Sequence, residues 1–512
     1  MQHKQADICL ILEGTYPFTM GGVSSWTHEL ITMQKHLTFA IVALVSSDSK
    51  EKLLYKLPPN VISLDVIRLQ VLKAGTASLP PALEKKLFKQ LEKPLLNLQA
   101  HARLEDLKEI ISAIAPYKNK LGKNLLLNSQ SAWNMLLHMY QITMPRTPFL
   151  DYFWSWRGLF GGLFSILLAP LPKAKSYHAL CTGYAGLLLA RAHIETGKPC
   201  IVTEHGIYTN ERRIEIITAD WLHDLSVFNL SVTRPINHTR EIKDFWIDTF
   251  VNYSRLCYES CSKIITLYKG NQEFQLIDGA SQKKLKVIPN GIDSSRYNAI
   301  ERNANHPPTV ALIGRVVSIK DIKTYIKAIA ILKESMPKLL ALIIGPVEEE
   351  PEYARECIEL VEHLNLQESL IFTGKVDIEP YLKVIDINVL TSISEAQPLV
   401  ILEAGAAGIP TVATDVGACR EMVMGDSEEY PYLGEGGAIV QLSNPKAIAG
   451  ALLKLLTDKG YYNKCSASIK KRVQVYYSKE DQYWAYANLY TGLIEGKDEY
   501  IEMQDLIIKE AA

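Results

Sequence analysis

From residue 309 onward one pattern recurs five times: a short apolar run, a glycine or polar break, then helical spacing. The runs are TVALIGRV, LLALIIGP, SLIFTGKV, DINVLTS and IPTVATDVG. Strands separated by helices cannot pair as hairpins, because each return to the sheet passes through a crossover. The pattern therefore predicts an α/β fold, a doubly wound parallel sheet with helices on both faces. In such sheets ligands collect beyond the carboxyl ends of the strands. The loops that follow these runs are where a site is expected.

The first half repeats the scheme with interruptions. Apolar runs at 8–12, 38–45 and 61–69, then in SYHAL, CIVTE, KIIT and KLKVIP, predict a second Rossmann-like sheet. Between 79 and 140 the spacing is helical, in KKLFKQLEKPLLNLQ, EDLKEIISAI and SAWNMLLHMY, with Pro94 and Pro116 expected to interrupt it. At 512 residues the chain exceeds one ordinary core. Three segments are expected: 1–300, with a helical insertion at about 75–172; 301–475, a second Rossmann-like domain; and 476–512, helices packing back towards the first. The Asn290–Gly291 turn signal and the polar stretch ERNANHPP mark the boundary, and 425–437 reads as loop.

The strand ends carry the residues of interest. In GRVVSIKD, Arg315 and Lys320 share one loop, a planar guanidinium and a mobile ammonium suited to a diphosphate; a surface charge pair is the bland alternative. The stretch 390–421, LTSISEAQPLVILEAGAAGIPTVATDVGACRE, reads as strand, break, helix after Pro398, and strand. It sets Glu395 before the helix and Glu403 inside it, around the unpaired amides of the helix N-terminus, a setting for hydroxyl or phosphate groups. Gly345, Gly374 and Gly417 recur in the loops of this half, where backbone must turn sharply or approach something. In the first half, Gly21 and Gly22 leave amides approachable at the first βα turn. TEHGIYTNERR opens Glu204, His205 and Tyr208 at a strand end, and Arg212 and Arg213 either meet anions or begin the next helix.

Composition narrows the classes. With 55 basic and 56 acidic residues the chain has no bulk attraction for nucleic acid. Its eight cysteines lack zinc-ligand pairing and read as buried, reduced thiols. No run reaches transmembrane length, and the apolar core before Glu13 is too short for a secretory leader, so a cytoplasmic protein is expected. DYFWSWRGLFGGLFSILLAPLP, at 151–172, is expected to be a buried helix hairpin, with acceptor binding or membrane-assembly docking as the alternative.

Together, two Rossmann-like halves, the glycine loop after the first strand, EHG, VIPNGID at the junction, GRVVSIKD and the paired glutamates resemble the retaining glycosyltransferases of family four, with the GT-B fold of two domains facing a cleft. MGGVSSW, TGYAGL, TEHGIYTNER and LTSISEAQPLVILEAGAAGIP are similar to the subfamily of Pel exopolysaccharide systems. The resemblance implies hexosyl transfer from a UDP-sugar, UDP-glucose or a UDP-N-acetylhexosamine, to a growing polysaccharide. An inner-membrane export complex, to which the protein would be peripheral, is a candidate partner.

By the same resemblance Arg315 and Lys320 would bind the donor diphosphate and Glu403 the ribose hydroxyls. Glu395 would hold the donor sugar, with backbone amides from Ala396 through Gln397, Pro398 and Leu399 to Val400 touching sugar and phosphate. His205 would contact the sugar from across the cleft, and Gly21 and Gly22 would approach the phosphates and acceptor, domain closure being part of the mechanism. Ala396 stands where many members carry glycine. A cation pair and a helix N-terminus can stabilise a departing diphosphate without metal, and the chain has no Asp-x-Asp, so no cofactor or metal is expected. Two alternatives stay open: a UDP-sugar epimerase of the same architecture, and a non-catalytic nucleotide-sensing subunit of an envelope complex. An oxidoreductase is disfavoured by the absence of G-x-G-x-x-G in the first loop.

Overall fold

A computed structural model describes residues 5–46, 52–75, 78–218, 241–298, 300–303 and 305–497. It forms two compact units. Of the described residues, the first comprises those up to 266, 272–286 and 487–497; the second comprises 267–271 and 287–486.

The first unit is built on a seven-stranded sheet: β1 (Ala6–Glu13), β2 (Phe39–Val45), β3 (Val61–Arg68), β4 (Ala174–Ala179), β5 (Cys200–Glu204), β6 (Lys263–Thr266) and β7 (Leu285–Val287). Their spatial order is β3-β2-β1-β4-β5-β6-β7. β1 is central: Ile8 faces Phe39 of β2 on one side and Ser176 of β4 on the other, both parallel. Because β2 and β3 wind one way and β4 onward the other, the loops leaving β1 and β4 diverge and open a crevice between them.

The second unit holds six strands: β8 (Thr309–Ile313), β9 (Leu340–Ile344), β10 (Leu370–Gly374), β11 (Ile387–Leu390), β12 (Thr411–Thr414) and β13 (Gly437–Val440). Their order, β10-β9-β8-β11-β12-β13, reverses between β8 and β11. β13 was not expected: only Ala438, Ile439 and Val440 mark it, too short a run to separate from the loop before it. The two parallel sheets with flanking helices are the two Rossmann-like sheets expected.

The insertion consists of helices Pro81–Ala100, Leu104–Ile114, Lys123–Leu126, Gln130–Thr143 and Phe149–Leu168. Two expectations are corrected here. Pro94 does not interrupt: the first of these helices runs through it, with Pro94 buried. Nor is 151–172 a hairpin. It is one helix, and its glycines pack rather than turn: a Cβ on Gly162 would lie 2.4 Å from the Tyr184 hydroxyl, so glycine lets that ring lie against the helix. The segment 477–512, expected to finish as helix, does so over Lys479–Glu495; 498–512 lie outside the described residues.

Candidate active site

In the second unit the crevice is flanked by the loops after β8 and β11, the two that carry the expected donor residues. The loops are tied together. Thr391 Oγ1 donates to the carbonyls of Lys320, at 2.8 Å, and Asp321, at 3.1 Å, and the Ile393 amide donates to Ile319 at 2.8 Å. This fastening brings Lys320 Nζ into an ion pair with Glu395, whose carboxylate also accepts from Ser392 Oγ at 2.6 Å. Both side chains are largely withdrawn from water, 20% and 13% exposed, so each is the other's main solvation. A phosphate could take the ammonium and a sugar hydroxyl the carboxylate.

Arg315 leaves the same loop but turns to Glu349, in a half-exposed ion pair. It is not joined to the Lys320–Glu395 pair. Two glycines shape the surroundings. Gly345, at φ 155°, lies so close to the loop after β8 that a Cβ would be 2.0 Å from the Gly314 carbonyl oxygen. Gly417, at φ 53°, approaches the loop after β11; a Cβ there would lie 2.2 Å from the Glu395 carbonyl oxygen and 2.4 Å from that of Ala396.

The residues after Glu395 divide by what their groups are already doing. The carbonyl of Ala396 accepts from the Ala418 amide at 2.8 Å. Gln397 is buried, and its Oε1 accepts from the Asn290 amide at 2.6 Å, so its side chain holds the loop in place. Pro398 has no N–H, which corrects the expectation of amide contacts running unbroken from Ala396 to Val400. It precedes the helix Leu399–Ala406, whose first turn has no side-chain cap, so the amides of Leu399 and Val400 point onward from the helix start. Glu403 lies inside that helix in different surroundings from Glu395. Burial pushes its carboxyl above the ordinary range, opposed by the Arg296 charge and a hydrogen bond from the Tyr297 hydroxyl.

In the first unit, Gly21 precedes the helix Gly22–Met33, which has no side-chain cap. A Cβ on either glycine would meet nothing within 4 Å, so the backbone there is open to a ligand. His205 follows β5. Its ring meets the Trp26 indole edge-on at 4.6 Å, its Nε2 is buried without a hydrogen-bond partner, and burial pushes its pKa down to about 4. A neutral imidazole with an unused ring nitrogen can give or take a hydrogen bond with a hydroxyl.

Its neighbour Glu204 does not open outward as expected. It is buried, accepting from Tyr258 at 2.7 Å, Gln275 at 2.8 Å and Thr182 at 3.2 Å, and burial raises its pKa to about 7. Arg212 lies in the helix Tyr208–Thr218 and reaches Glu13 at the end of β1, at 3.8 Å. Tyr208 joins them: its hydroxyl donates to Glu13 at 2.7 Å and accepts from Arg212 Nε at 3.0 Å. Glu13, Trp26, Tyr297 and Ser392 were not singled out from sequence. Only Glu13, a carboxylate at the end of an apolar strand, carried a visible signal.

Comparison with known proteins agrees with this layout. Residues 6–283 match the family described as a domain of unknown function (DUF3492), and 293–472 match Glycosyl transferases group 1. Among curated proteins, an uncharacterized glycosyltransferase of Methanocaldococcus jannaschii is 28% identical over 235 residues, 43% of this chain and 57% of that one. The lipopolysaccharide core biosynthesis mannosyltransferase LpsB of Rhizobium meliloti is 27% identical over 219 residues, 41% of this chain and 61% of that one. The chain thus spans less than two thirds of these relatives' lengths. Two solved structures share the fold. Sucrose-phosphate synthase from Thermosynechococcus elongatus has TM-score 0.57 and 16% identity, covering 96% of this chain and 100% of that one. Anabaena HepE in complex with UDP and glucose has TM-score 0.55 and 14% identity, covering 95% and 100%.

Proposed function

The chain belongs to the family of the domain of unknown function DUF3492, joined here to a group 1 glycosyltransferase half, and from that premise we propose that it transfers a hexose from a UDP-sugar to a growing Pel-type exopolysaccharide, with retention at the anomeric carbon. The observation that carries this reading is the meeting of Lys320 and Glu395 at the point where the strand order of the second sheet reverses. One cation and one carboxylate, each withdrawn from water against the other, are poised to exchange that partnership for a phosphate and a sugar hydroxyl. The HepE structure is described with UDP and glucose, and LpsB as a mannosyltransferase, which supports a nucleotide-sugar donor and a hexose.

On this reading Lys320 and Arg315 meet the diphosphate, and the Leu399 and Val400 amides add the positive end of their helix. Charge that develops on the leaving diphosphate is met by the Lys320 ammonium and the two amides, and by Arg315 once it exchanges Glu349 for the phosphate, which lowers the barrier to its departure. Glu395 orients the donor sugar and Glu403 the ribose. His205 offers Nε2 to a sugar hydroxyl. Attack comes from the face the diphosphate leaves, and its departing oxygen helps take the acceptor proton. The acceptor, the hexose and an inner-membrane export complex as partner rest on the resemblance of the motifs.

Arg315→Ala and Lys320→Ala test the donor site. Each is expected to weaken UDP binding by at least about tenfold, the scale of a lost charge-assisted hydrogen bond, and to cut turnover further. Near-normal UDP affinity and kinetics in both variants would overturn the diphosphate assignment.

A further inference from the structure

The aromatic stretch at 151–172 is not used by the site just described, and the structure divides it. Phe160 and Phe164 are 4% and 0% exposed and belong to the core. On the outer face of the first two turns of the helix Phe149–Leu168 the reverse holds: Leu150 is 67% exposed and Trp154 66%, while Tyr152 and Trp156 face the core. Four residues apart, they share one helix face. Beside them Trp133, on the helix Gln130–Thr143, is 40% exposed.

These side chains form one surface. Trp133 contacts the rings of Phe149 at 5.7 Å and Phe153 at 5.9 Å, Phe149 and Phe153 are 6.2 Å apart, and Phe153 meets Trp154 at 4.9 Å. The rim is cationic. Arg146 is exposed in the turn between the helices, and the half-buried Arg157 guanidinium lies 5.5 Å from the Phe153 ring centre, held there by donating to the Leu127 carbonyl at 2.7 Å and to Asn128 Oδ1 at 2.9 Å with further N–H groups left over. Asp151 is the one carboxylate in the first two turns of the later helix.

We propose that this surface docks on an anionic lipid bilayer, Leu150, Trp154 and Trp133 entering the boundary between headgroups and acyl chains, with Arg146 and Arg157 meeting lipid phosphates. Three observations choose this occupant. Tryptophan is the side chain best suited to that boundary, with a large apolar body and one N–H for the wet side. The two arginines complement an anionic surface. And among the described residues no helix is long and apolar enough to cross a membrane, so the contact is peripheral. The inference is independent of the donor-site reading.

The test is co-sedimentation of the full chain with vesicles of phosphatidylcholine alone and of an equimolar mixture with phosphatidylglycerol. The chain is expected to bind the mixed vesicles at least about tenfold more strongly than the neutral ones, with a blue shift of tryptophan emission. The double variant Leu150→Ser, Trp154→Ser should lose at least about tenfold in that binding. Its melting temperature and UDP affinity should be unchanged, since both side chains are exposed. The proposal is overturned if the wild type stays in the supernatant with the mixed vesicles, or if the double variant binds them equally well. It is overturned too if the double variant abolishes a concentration-dependent dimer while vesicle binding is absent, which would make a second copy the occupant.

Discussion

Glu395 and Glu403 are two carboxylates of one short stretch with opposite surroundings. Glu395 is charge-paired with Lys320, whereas burial raises the carboxyl of Glu403 and Tyr297 and Arg296 oppose the rise. A buried carboxylate that gains neutral hydroxyl donors suits a ribose. Glu403→Ala is therefore expected to weaken UDP by about 1–3 kcal/mol, read by calorimetry, with little effect on the sugar preference. Unchanged affinity would remove Glu403 from the nucleotide.

His205 supports a second prediction, about pH. Its folded pKa, about 4, lies below the ordinary 6.5, so between those values the unfolded chain binds a proton that the folded one refuses. Its contribution to stability is thus intact above pH 6.5 and lost as pH falls towards 4. His178, bonded to Tyr490 at 2.7 Å and Thr203 at 2.8 Å with a pKa of about 3, acts in the same direction. Glu204, raised to about 7, acts in the other, its contribution falling as pH rises from 4.5 to 7. His205→Gln should flatten the rise of melting temperature with pH between about 4 and 6.5. An unaltered slope would show that the imidazole is not held neutral in the folded state.

At the scale of elements, Gly345 lets the loop after β9 approach the loop after β8, and Gly417 lets the loop after β12 approach the loop after β11. Gly417→Ala forces both a left-handed backbone and a collision with the Glu395 and Ala396 carbonyls, whereas a Cβ on Gly374, at φ 68°, meets nothing within 4 Å. Gly374→Ala should then cost about 1–2 kcal/mol of stability from backbone strain alone, with UDP affinity kept. Gly417→Ala should cost more and weaken UDP as well, by displacing the Glu395 loop. Equal effects of the two on UDP affinity would contradict the cradle described for Gly417.

This contrast also explains what could be read from the chain unaided. Period and punctuation are local, so the strands other than β13, the helix after Pro398 and the glycines at the loops were legible. Pairings across long separations were not. Nothing near Glu13 announces Tyr208 or Arg212, nearly two hundred residues on, and nothing near Gln397 announces the Asn290 amide. The single helix through Gly161 and Gly162 was missed for the same reason, since the Tyr184 ring that rationalises Gly162 lies elsewhere in the sequence.

At the scale of the whole molecule, each unit has its own sheet and its own reversal of strand order, β1 against β4 and β8 against β11. The second reversal coincides with the loops that carry Arg315, Lys320 and Glu395, and the first with the loop that carries Gly21 and Gly22, all singled out from sequence. The fold alone serves several chemistries, so the reaction must be argued from those groups. A direct measurement is the product analysis of the full chain incubated with a panel of UDP-sugars, with and without an oligosaccharide acceptor. The account predicts acceptor-dependent release of UDP and an elongated product whose new linkage keeps the donor's anomeric configuration, abolished in Lys320→Ala. An epimerised UDP-sugar formed without acceptor, or UDP-sugar binding with no UDP released from any member of the panel, would contradict it.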